Sequence, residues 1–198
     1  MAHLYGERIR LRAVERDDLA TFLRWVNDPE VTENLFLVSP MSQVEEEQWF
    51  EDMMKQPASE HALVIEVLKQ STEPDNQPIG TCQFHKIDWR NRSAEIGIMI
   101  GEKEFWGRGY GSETLRLMTK HGFQTLNLHR IWLQVYAKNK RGLRAYEKAG
   151  FQMEGKYREA HYQHGQYFDV HLMSILKEEW QQNNPQIAPD ELKRTFKE

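Results

Sequence analysis

Two periodicities of hydrophobic and polar positions run along the chain, and they predict short strands and amphipathic helices. In residues 8–12, an isoleucine and a leucine alternate with arginines, which is typical of a strand. Residues 17–28 instead carry their apolar side chains at helical spacing. Ser42 and Glu45 form a Ser-x-x-Glu capping box, which predicts that a second helix begins there. The chain therefore opens with a strand followed by two helices.

The rest of the chain continues this mixture of strands and helices. Helical spacing predicts helices at 113–126 and 140–150. No repeat, low-complexity tract or domain linker interrupts the pattern, so we expect a single α+β domain over residues 1–180 and a polar tail over 181–198. Alternating apolar positions predict further strands at 61–69, 79–87, 94–100 and 129–137, and a final pair on either side of the turn at 164–166.

Composition narrows the class of protein. Of the 198 residues, 39% are hydrophobic and 28% are charged, which is ordinary for a globular protein. No apolar run approaches the roughly 20 residues of a membrane span, and no signal peptide is recognisable, so we expect no membrane partner. The net charge of −4 without a basic stripe argues against nucleic acid. The single cysteine, Cys82, fits a buried structural thiol in a reducing, cytoplasmic compartment.

A glycine-rich stretch, "WGRGYGSE" at 106–113, is the first candidate for chemistry. Gly107, Gly109 and Gly111 lie between a predicted strand and a predicted helix, where free amides at the positive end of the helix dipole favour a phosphate. The spacing fits neither the dinucleotide fingerprint nor the P-loop. From spacing alone, a plain tight turn remains an equal alternative.

A second motif, "NKRGLRAYEKAGF" at 139–151, follows after a helix and a strand. The two motifs in this order resemble those of the GNAT superfamily of acyl-CoA-dependent N-acetyltransferases, in the branch of ribosomal-protein N-terminal and spermidine acetyltransferases. The resemblance implies a mixed, mostly antiparallel, twisted sheet with splayed central strands and flanking helices. One departure is Trp106, which stands where the superfamily's loop usually begins with Gln or Arg.

The resemblance also implies acetyl-CoA as co-substrate and suggests which residues would bind it. Backbone groups of Ile98, Met99 and Ile100 would pair with the pantetheine arm as a missing strand would. Asn139 and Tyr146 would line the other side of that arm. The loop would wrap the pyrophosphate with its amides, with a charge-assisted contact from the arginine, through Trp106, Gly107, Arg108, Gly109, Tyr110 and Gly111.

For the chemistry, the resemblance implies attack of an amine on a thioester. Such an amine is protonated at neutral pH and must lose a proton first, and Glu95 is the candidate base, directly or through a water. Tyr146 would offer its hydroxyl to the departing sulfur. The alternatives are an ordinary exposed strand carboxylate for Glu95 and a tyrosine that packs on the core for Tyr146.

Other polar features favour ordinary interpretations. Three histidines, His161, His164 and His171, lack acidic or thiolate partners at metal-site spacing, so we expect surface and loop histidines and no metal. The acidic run at 45–47 is expected to be a solvated helix face. Apolar residues in 167–176 could form a surface that pairs with another copy, as a homodimer or larger homo-oligomer.

The acceptor amine is the most open question. Spermidine acetyltransferases carry carboxylates in the segment after the first helix, whereas residues 33–42 hold only Glu33. We therefore expect an N-acetyltransferase that acts on a primary amine, either a protein N-terminus or a small amine. A polyamine N-acetyltransferase and a non-catalytic acyl-CoA-binding sensor with the same fold remain the alternatives.

Overall fold

The computed structural model describes residues 4–36, 39–68 and 76–185, and its strands form one sheet of eight. The spatial order is β1-β2-β3-β4-β5-β6-β8-β7, and every neighbouring pair is antiparallel except β5 and β6. The strands are β1 Leu4–Tyr5, β2 Ile9–Ala13, β3 Leu63–Val67, β4 Gln77–Asp88, β5 Ser93–Ile100, β6 Arg130–Tyr136, β7 Gln152–Gln163 and β8 Gln166–Leu176.

Helices cover both faces of this sheet. Val64 and Ile65 are successive residues of β3 whose side chains belong to separate buried clusters, because alternate residues of a strand face opposite sides. The helix α4 packs in the cluster of Ile65, whereas α1 and α3 pack in that of Val64. The helices are α1 Leu19–Val26, α2 Pro29–Thr32, α3 Gln43–Met54, α4 Tyr110–Gln124, α5 Lys140–Lys148 and α6 Lys177–Asn183, with three short 3-10 turns at Arg16–Asp18, Ala58–Glu60 and Lys103–Phe105.

The predicted α+β class is therefore confirmed, and so is the separation of the central strands. Among the described residues, β5 and β6 pair only where Ser93–Glu95 lies beside Arg130–Trp132. Beyond that point β5 continues to Ile100 and β6 to Tyr136 without pairing to each other. The sheet consequently has a wedge-shaped gap at its centre, which begins after Glu95 and Trp132.

Two expectations about the C-terminal part change. Val170, Met173 and Ile175 are buried, and β8 lies between β6 and β7, so most of the apolar surface expected at 167–176 belongs to the core, while Tyr167 remains 64% exposed. Trp180 also is buried, with its ring 5.5 Å from that of Phe123. The helix α6 thus runs past residue 180, and residues 186–198 of the expected tail lie outside the described residues.

Two further observations bear on the sequence-based expectations. Cys82 is buried as predicted, and this burial raises the pKa of its thiol. Within the described ranges, none of the helices is long and apolar enough to cross a membrane.

Candidate active site

The glycine-rich stretch forms the turn that starts α4. Gly107 and Gly109 have φ angles of +73° and +90°, which side chains rarely adopt, and Gly109 is the residue before the first helical turn. A Cβ atom at Gly107 would meet no described atom within 4 Å, and one at Gly111 would meet only Ile98 Cδ1 at 3.9 Å. The backbone therefore faces open space at the end of a helix whose first amides have no intrahelical acceptor.

That open space is a groove of about 210 Å³, which we call the glycine groove. One wall is formed by β5 and the loop, and the other by α5, which contributes three basic residues. An anionic pyrophosphate on an apolar arm fits this combination of amides, aliphatic side chains and cations. The lining residues include Ile98, Ile100, Trp106, Gly107, Gly109, Tyr110, Gly111, Ser112, Asn139, Arg141, Arg144, Tyr146 and Lys148.

The end of β5 presents only some of its predicted backbone groups to the gap. The Gly101 amide donates to the Ile79 carbonyl at 2.8 Å, and because antiparallel pairing alternates, the polar groups of Met99 must face β4 as well. The expectation that Met99 would face the pantetheine arm is therefore corrected. Ile98 and Ile100 do face the gap, and the Ile100 carbonyl already accepts a hydrogen bond from the indole of Trp106 at 2.7 Å.

Trp106 brings a cation to the groove that the sequence reasoning missed. The guanidinium of Arg141 lies 3.6 Å from the centre of the Trp106 ring, and desolvation lowers the pKa of this arginine. Where the superfamily's loop supplies Gln or Arg, this chain supplies an indole and stacks an arginine from α5 upon it. The sequence did hold a sign of this basic wall, because Arg141, Arg144 and Lys148 are spaced three and four residues apart and so share one face of α5.

The side chains of Arg108 and Tyr110 pack within the loop itself and do not form a charged clamp for a phosphate. The side chain of Arg108 lies over the rings of Phe105 and Tyr110, 5.4 and 5.8 Å from their centres. Its carbonyl accepts a hydrogen bond from Arg8 Nη1 at 3.0 Å. Tyr110 is buried against Phe105, with ring centres 5.4 Å apart, so its side chain stabilises the base of the loop.

The second motif contributes one structural and one chemical group. Asn139 caps α5, because its Oδ1 accepts a hydrogen bond from the Gly142 amide at 2.8 Å. Tyr146 lines the glycine groove, and burial raises the pKa of its hydroxyl to about 12. Against a thiol of pKa near 8.5, full proton transfer from Tyr146 would cost about 5 kcal/mol. The hydroxyl is therefore suited to donate a hydrogen bond to a thiolate and not to protonate it.

Glu95 lies on the opposite face of the sheet from this groove. Its side chain is 16% exposed, and its Oε2 accepts a hydrogen bond from Lys86 Nζ at 2.7 Å. It lines a second groove, the Glu95 groove, whose described lining includes Phe36, Trp49, Asp52, Glu60, His85 and Lys86. The structure thus separates Glu95 from Tyr146, and the gap between β5 and β6 is what connects their two faces.

His85 is a second residue of this groove that sequence reasoning missed. It pairs with Glu95 across β4 and β5, and a ring nitrogen contacts the Gln83 amide at 2.7 Å. A Cβ atom at Gly97 would lie 2.7 Å from His85 Nε2, so the glycine leaves room for the imidazole. Burial lowers the pKa of His85, which keeps it neutral at pH 7. The alternation of side chains along β4 shows which face His85 occupies, but its position beside Glu95 follows only from the register between β4 and β5.

Two expectations about polar side chains hold only in part, because His161, His171 and Glu46 depart from them. His161 stacks on Tyr136 with ring centres 3.8 Å apart, and its Nε2, like the Nδ1 of His171, is buried without a hydrogen-bond partner in the described part of the chain. Only His164 of the three is an exposed turn residue. In the acidic run, Glu46 is buried, and desolvation raises the pKa of its carboxyl to about 6.

Comparison with known proteins agrees with this geometry. Residues 8–152 match the model of the acetyltransferase (GNAT) domain. The Bacillus licheniformis N-acetyltransferase p20 is 33% identical over 181 residues, covering 91% of this chain and 99% of that protein. The Escherichia coli K12 spermidine N(1)-acetyltransferase is 27% identical over 172 residues, covering 87% and 88%.

A solved structure shows the same architecture. The Vibrio cholerae spermidine N-acetyltransferase, crystallised in complex with CoA and spermine, superimposes with a TM-score of 0.79 at 28% identity. The superposition covers 88% of this chain and 99% of that one. With a family match over most of the chain, a shared fold and a gap in the sheet beside a glycine loop, the chain belongs to the GNAT acetyltransferase family.

Proposed function

We propose that this acetyltransferase moves the acetyl group of acetyl-CoA to a primary amine, either a protein N-terminus or a small amine, by direct attack in a ternary complex. The observation that carries the proposal is the gap between β5 and β6. It joins a groove suited to an anionic cofactor on one face to a groove with an ionisable carboxylate on the other. A thioester in the gap would be accessible to an amine from the second face.

On the cofactor side, backbone groups supply most of the binding. The amides of the loop from Gly107 to Gly111 would hold the pyrophosphate, while Ile98 and Ile100 would pair with the pantetheine arm. The Trp106 amide, expected to join them, already donates to the Lys103 carbonyl at 3.0 Å. Asn139 and Tyr146 line the opposite wall. When bound there, acetyl-CoA supplies an acetyl group activated as a thioester.

On the acceptor side, side chains supply the chemistry. Glu95 would take the proton from the acceptor ammonium, directly or through a water, because an amine with a pKa near 10.4 is almost fully protonated at pH 7. Glu60 lines the same groove and favours a cationic acceptor by electrostatic attraction, whereas Asp52, also in the lining, is already ion-paired with Lys55 at 2.7 Å. From the other face, the Tyr146 hydroxyl would donate a hydrogen bond to the thiolate that departs.

A polyamine acceptor is the second candidate. Relatives named spermidine N-acetyltransferases and the carboxylates of the Glu95 groove both support it. Against it, Glu33 is the acidic residue of the segment at 33–42, and its carboxylate is already paired with Lys138 at 2.7 Å and His164 at 3.1 Å. We therefore place the primary amine of a peptide or small molecule first.

The test is release of free CoA thiol from acetyl-CoA in the presence of separate amines. The panel contains a peptide with a free N-terminus, the same peptide with an acetylated N-terminus, a small monoamine, and spermidine. Thiol release with the free peptide or monoamine, and mass spectrometry of the acetylated product, would support the first proposal. Thiol release with spermidine and with none of the other amines would establish the polyamine as the acceptor. Binding of acetyl-CoA without turnover on any amine would identify a non-catalytic sensor.

A further inference from the structure

An ion pair occupies the closed end of the gap between β5 and β6. Lys86 Nζ lies 2.7 Å from Glu95 Oε2, and it lies 5.7 Å from the centre of the Trp132 ring. Glu95 and Trp132 are themselves the last paired residues before the two strands separate. The chain therefore places one of its own primary amines beside the candidate base, on the face where we expect the acceptor.

A backbone irregularity accounts for this placement of Lys86. Successive residues of a regular strand point to opposite faces, yet His85 and Lys86 both line the Glu95 groove. Lys86 has a φ angle of +50°, and the register between β4 and β5 shifts between His85 and Asp88. Such a bulge redirects a side chain, and here it directs an amine towards Glu95.

We propose that Lys86 is an acetylation site of the enzyme itself. The proposal rests on the proposed function, with Glu95 as base. Glu95 takes one proton from the Lys86 ammonium, and the freed Nζ forms a bond to the acetyl carbonyl carbon of acetyl-CoA. The carbon–sulfur bond breaks, CoA leaves with the electron pair as a thiolate, and the second amine proton passes to solvent. The product is Nε-acetyl-lysine at residue 86.

The side chain has the freedom that this step requires. The Lys86 side chain is 70% exposed, and an ion pair with so exposed a partner is weak, so Lys86 can leave Glu95 at small cost. From Glu95 to Ile98, where the backbone faces the gap, β5 rises by about 10 Å. A four-carbon stem that rotates at the edge of the gap covers much of that distance. Acetylation would also neutralise Lys86 and release the Glu95 carboxylate from its ion pair.

Lys156 provides a matched comparison within the same chain. It pairs with Asp169 at 2.6 Å, and its side chain is 55% exposed, so it too is an accessible lysine beside a carboxylate. It lies on β7, outside the described lining of the Glu95 groove. Unspecific reaction with acetyl-CoA would modify both lysines, whereas the enzymatic step would modify Lys86.

The experiment uses the full chain, shown by intact mass to be unacetylated and incubated with acetyl-CoA without an acceptor. Peptide mapping should find one acetyl group on Lys86 and none on Lys156, at a rate independent of protein concentration. Glu95→Gln should slow this modification by about 10²–10⁴-fold, the usual contribution of a general base. In the Lys86→Arg variant, the peptide that contains residue 86 should carry no acetyl group.

Parallel thiol-release assays with an external amine separate this proposal from the proposed function. Turnover of the external amine while Lys86 stays unmodified would overturn the acetylation proposal and leave the proposed function intact. Equal modification of Lys86 and Lys156, or a Glu95→Gln protein modified at the wild-type rate, would also overturn it. Loss of both reactions would overturn the proposed function together with the inference.

Discussion

The two faces of β5 carry two different kinds of site. The glycine groove is lined by the part of the chain from β5 to α5, and it combines the glycines of the loop with aliphatic, aromatic and basic side chains. The Glu95 groove is lined by three separate segments, namely Phe36, residues 49–60 of α3 and the turn after it, and residues 83–95 of β4 and β5. Backbone recognition suits a cofactor whose phosphates and amides are constant, whereas side chains can be exchanged to suit different acceptors.

The same difference decides how each face responds to substitution. On the cofactor face, a change acts by filling space or by removing a contact to the phosphates, and its effect should be confined to the affinity for the cofactor. On the side-chain-made face, a change acts by removing a charge or a proton acceptor, so its effect should depend on pH. Glu95→Gln probes the acceptor face, Gly111→Val and Arg141→Gln probe the cofactor face, and Glu46→Gln probes a buried carboxylate outside the described lining of both grooves.

The largest effect is expected from Glu95→Gln. This substitution keeps the shape and removes the base, so turnover at neutral pH should fall by about 10²–10⁴-fold while the Kd for acetyl-CoA stays the same. Part of the rate should return towards pH 9–10, because the free amine then loses its proton without help. Normal turnover of the variant across that range, measured by thiol release, would refute the assignment of Glu95 as base.

Gly111→Val should weaken acetyl-CoA binding by about 5–150-fold, corresponding to about 1–3 kcal/mol for overfilling a fitted space. The position has no positive φ angle and its nearest described neighbour would be 3.9 Å away, so the protein itself accommodates the side chain. Gly155→Val on β7 is the matched control, since a Cβ atom there meets no described atom within 4 Å. If calorimetric titration gives the same Kd for acetyl-CoA in both variants, the glycine loop is not the site of the pyrophosphate.

Glu46→Gln should stabilise the fold by about 2 kcal/mol at pH 8. The pKa of Glu46 rises from 4.5 to about 6 on folding, so the stability that it contributes is present below pH 4.5 and is lost as the pH rises through 6. The gain from Gln should therefore vanish below pH 4.5. Urea unfolding of this variant beside Glu47→Gln, an exposed neighbour on α3, checks the effect. A pH-independent gain would contradict it.

Arg141→Gln should weaken acetyl-CoA binding by about 10-fold, as expected when one charge-assisted contact of about 1.5 kcal/mol is lost. The loss should disappear with S-acetyl-pantetheine, which carries no phosphate. Arg90→Gln removes the same charge from the exposed turn between β4 and β5 and serves as the control. An equal loss for the two cofactors would show that Arg141 acts through its stack on Trp106 and not on the phosphates.

Local pattern was sufficient for most of the fold. The alternation in 129–137 and the helical spacing in 113–126 predicted β6 and α4, because burial of one face imposes those periods directly on the sequence. The capping box at Ser42 likewise marks the start of α3, since it satisfies backbone amides within four residues. The interior position of β8 could not be predicted in this way, because strand order depends on contacts between distant segments.

The sequence by itself was enough to single out the glycine loop as a candidate cofactor site, whereas the tertiary structure decided which side chains meet in each groove. A glycine loop before a helix acts through its own amides, so its chemistry can be recognised from a few adjacent residues. His85 and Lys86 meet Glu95 only because β4 folds back on β5 with a bulge, and Arg141 meets Trp106 only because α5 lies across the groove. Such contacts arise from strand register and helix packing, which adjacent residues do not encode.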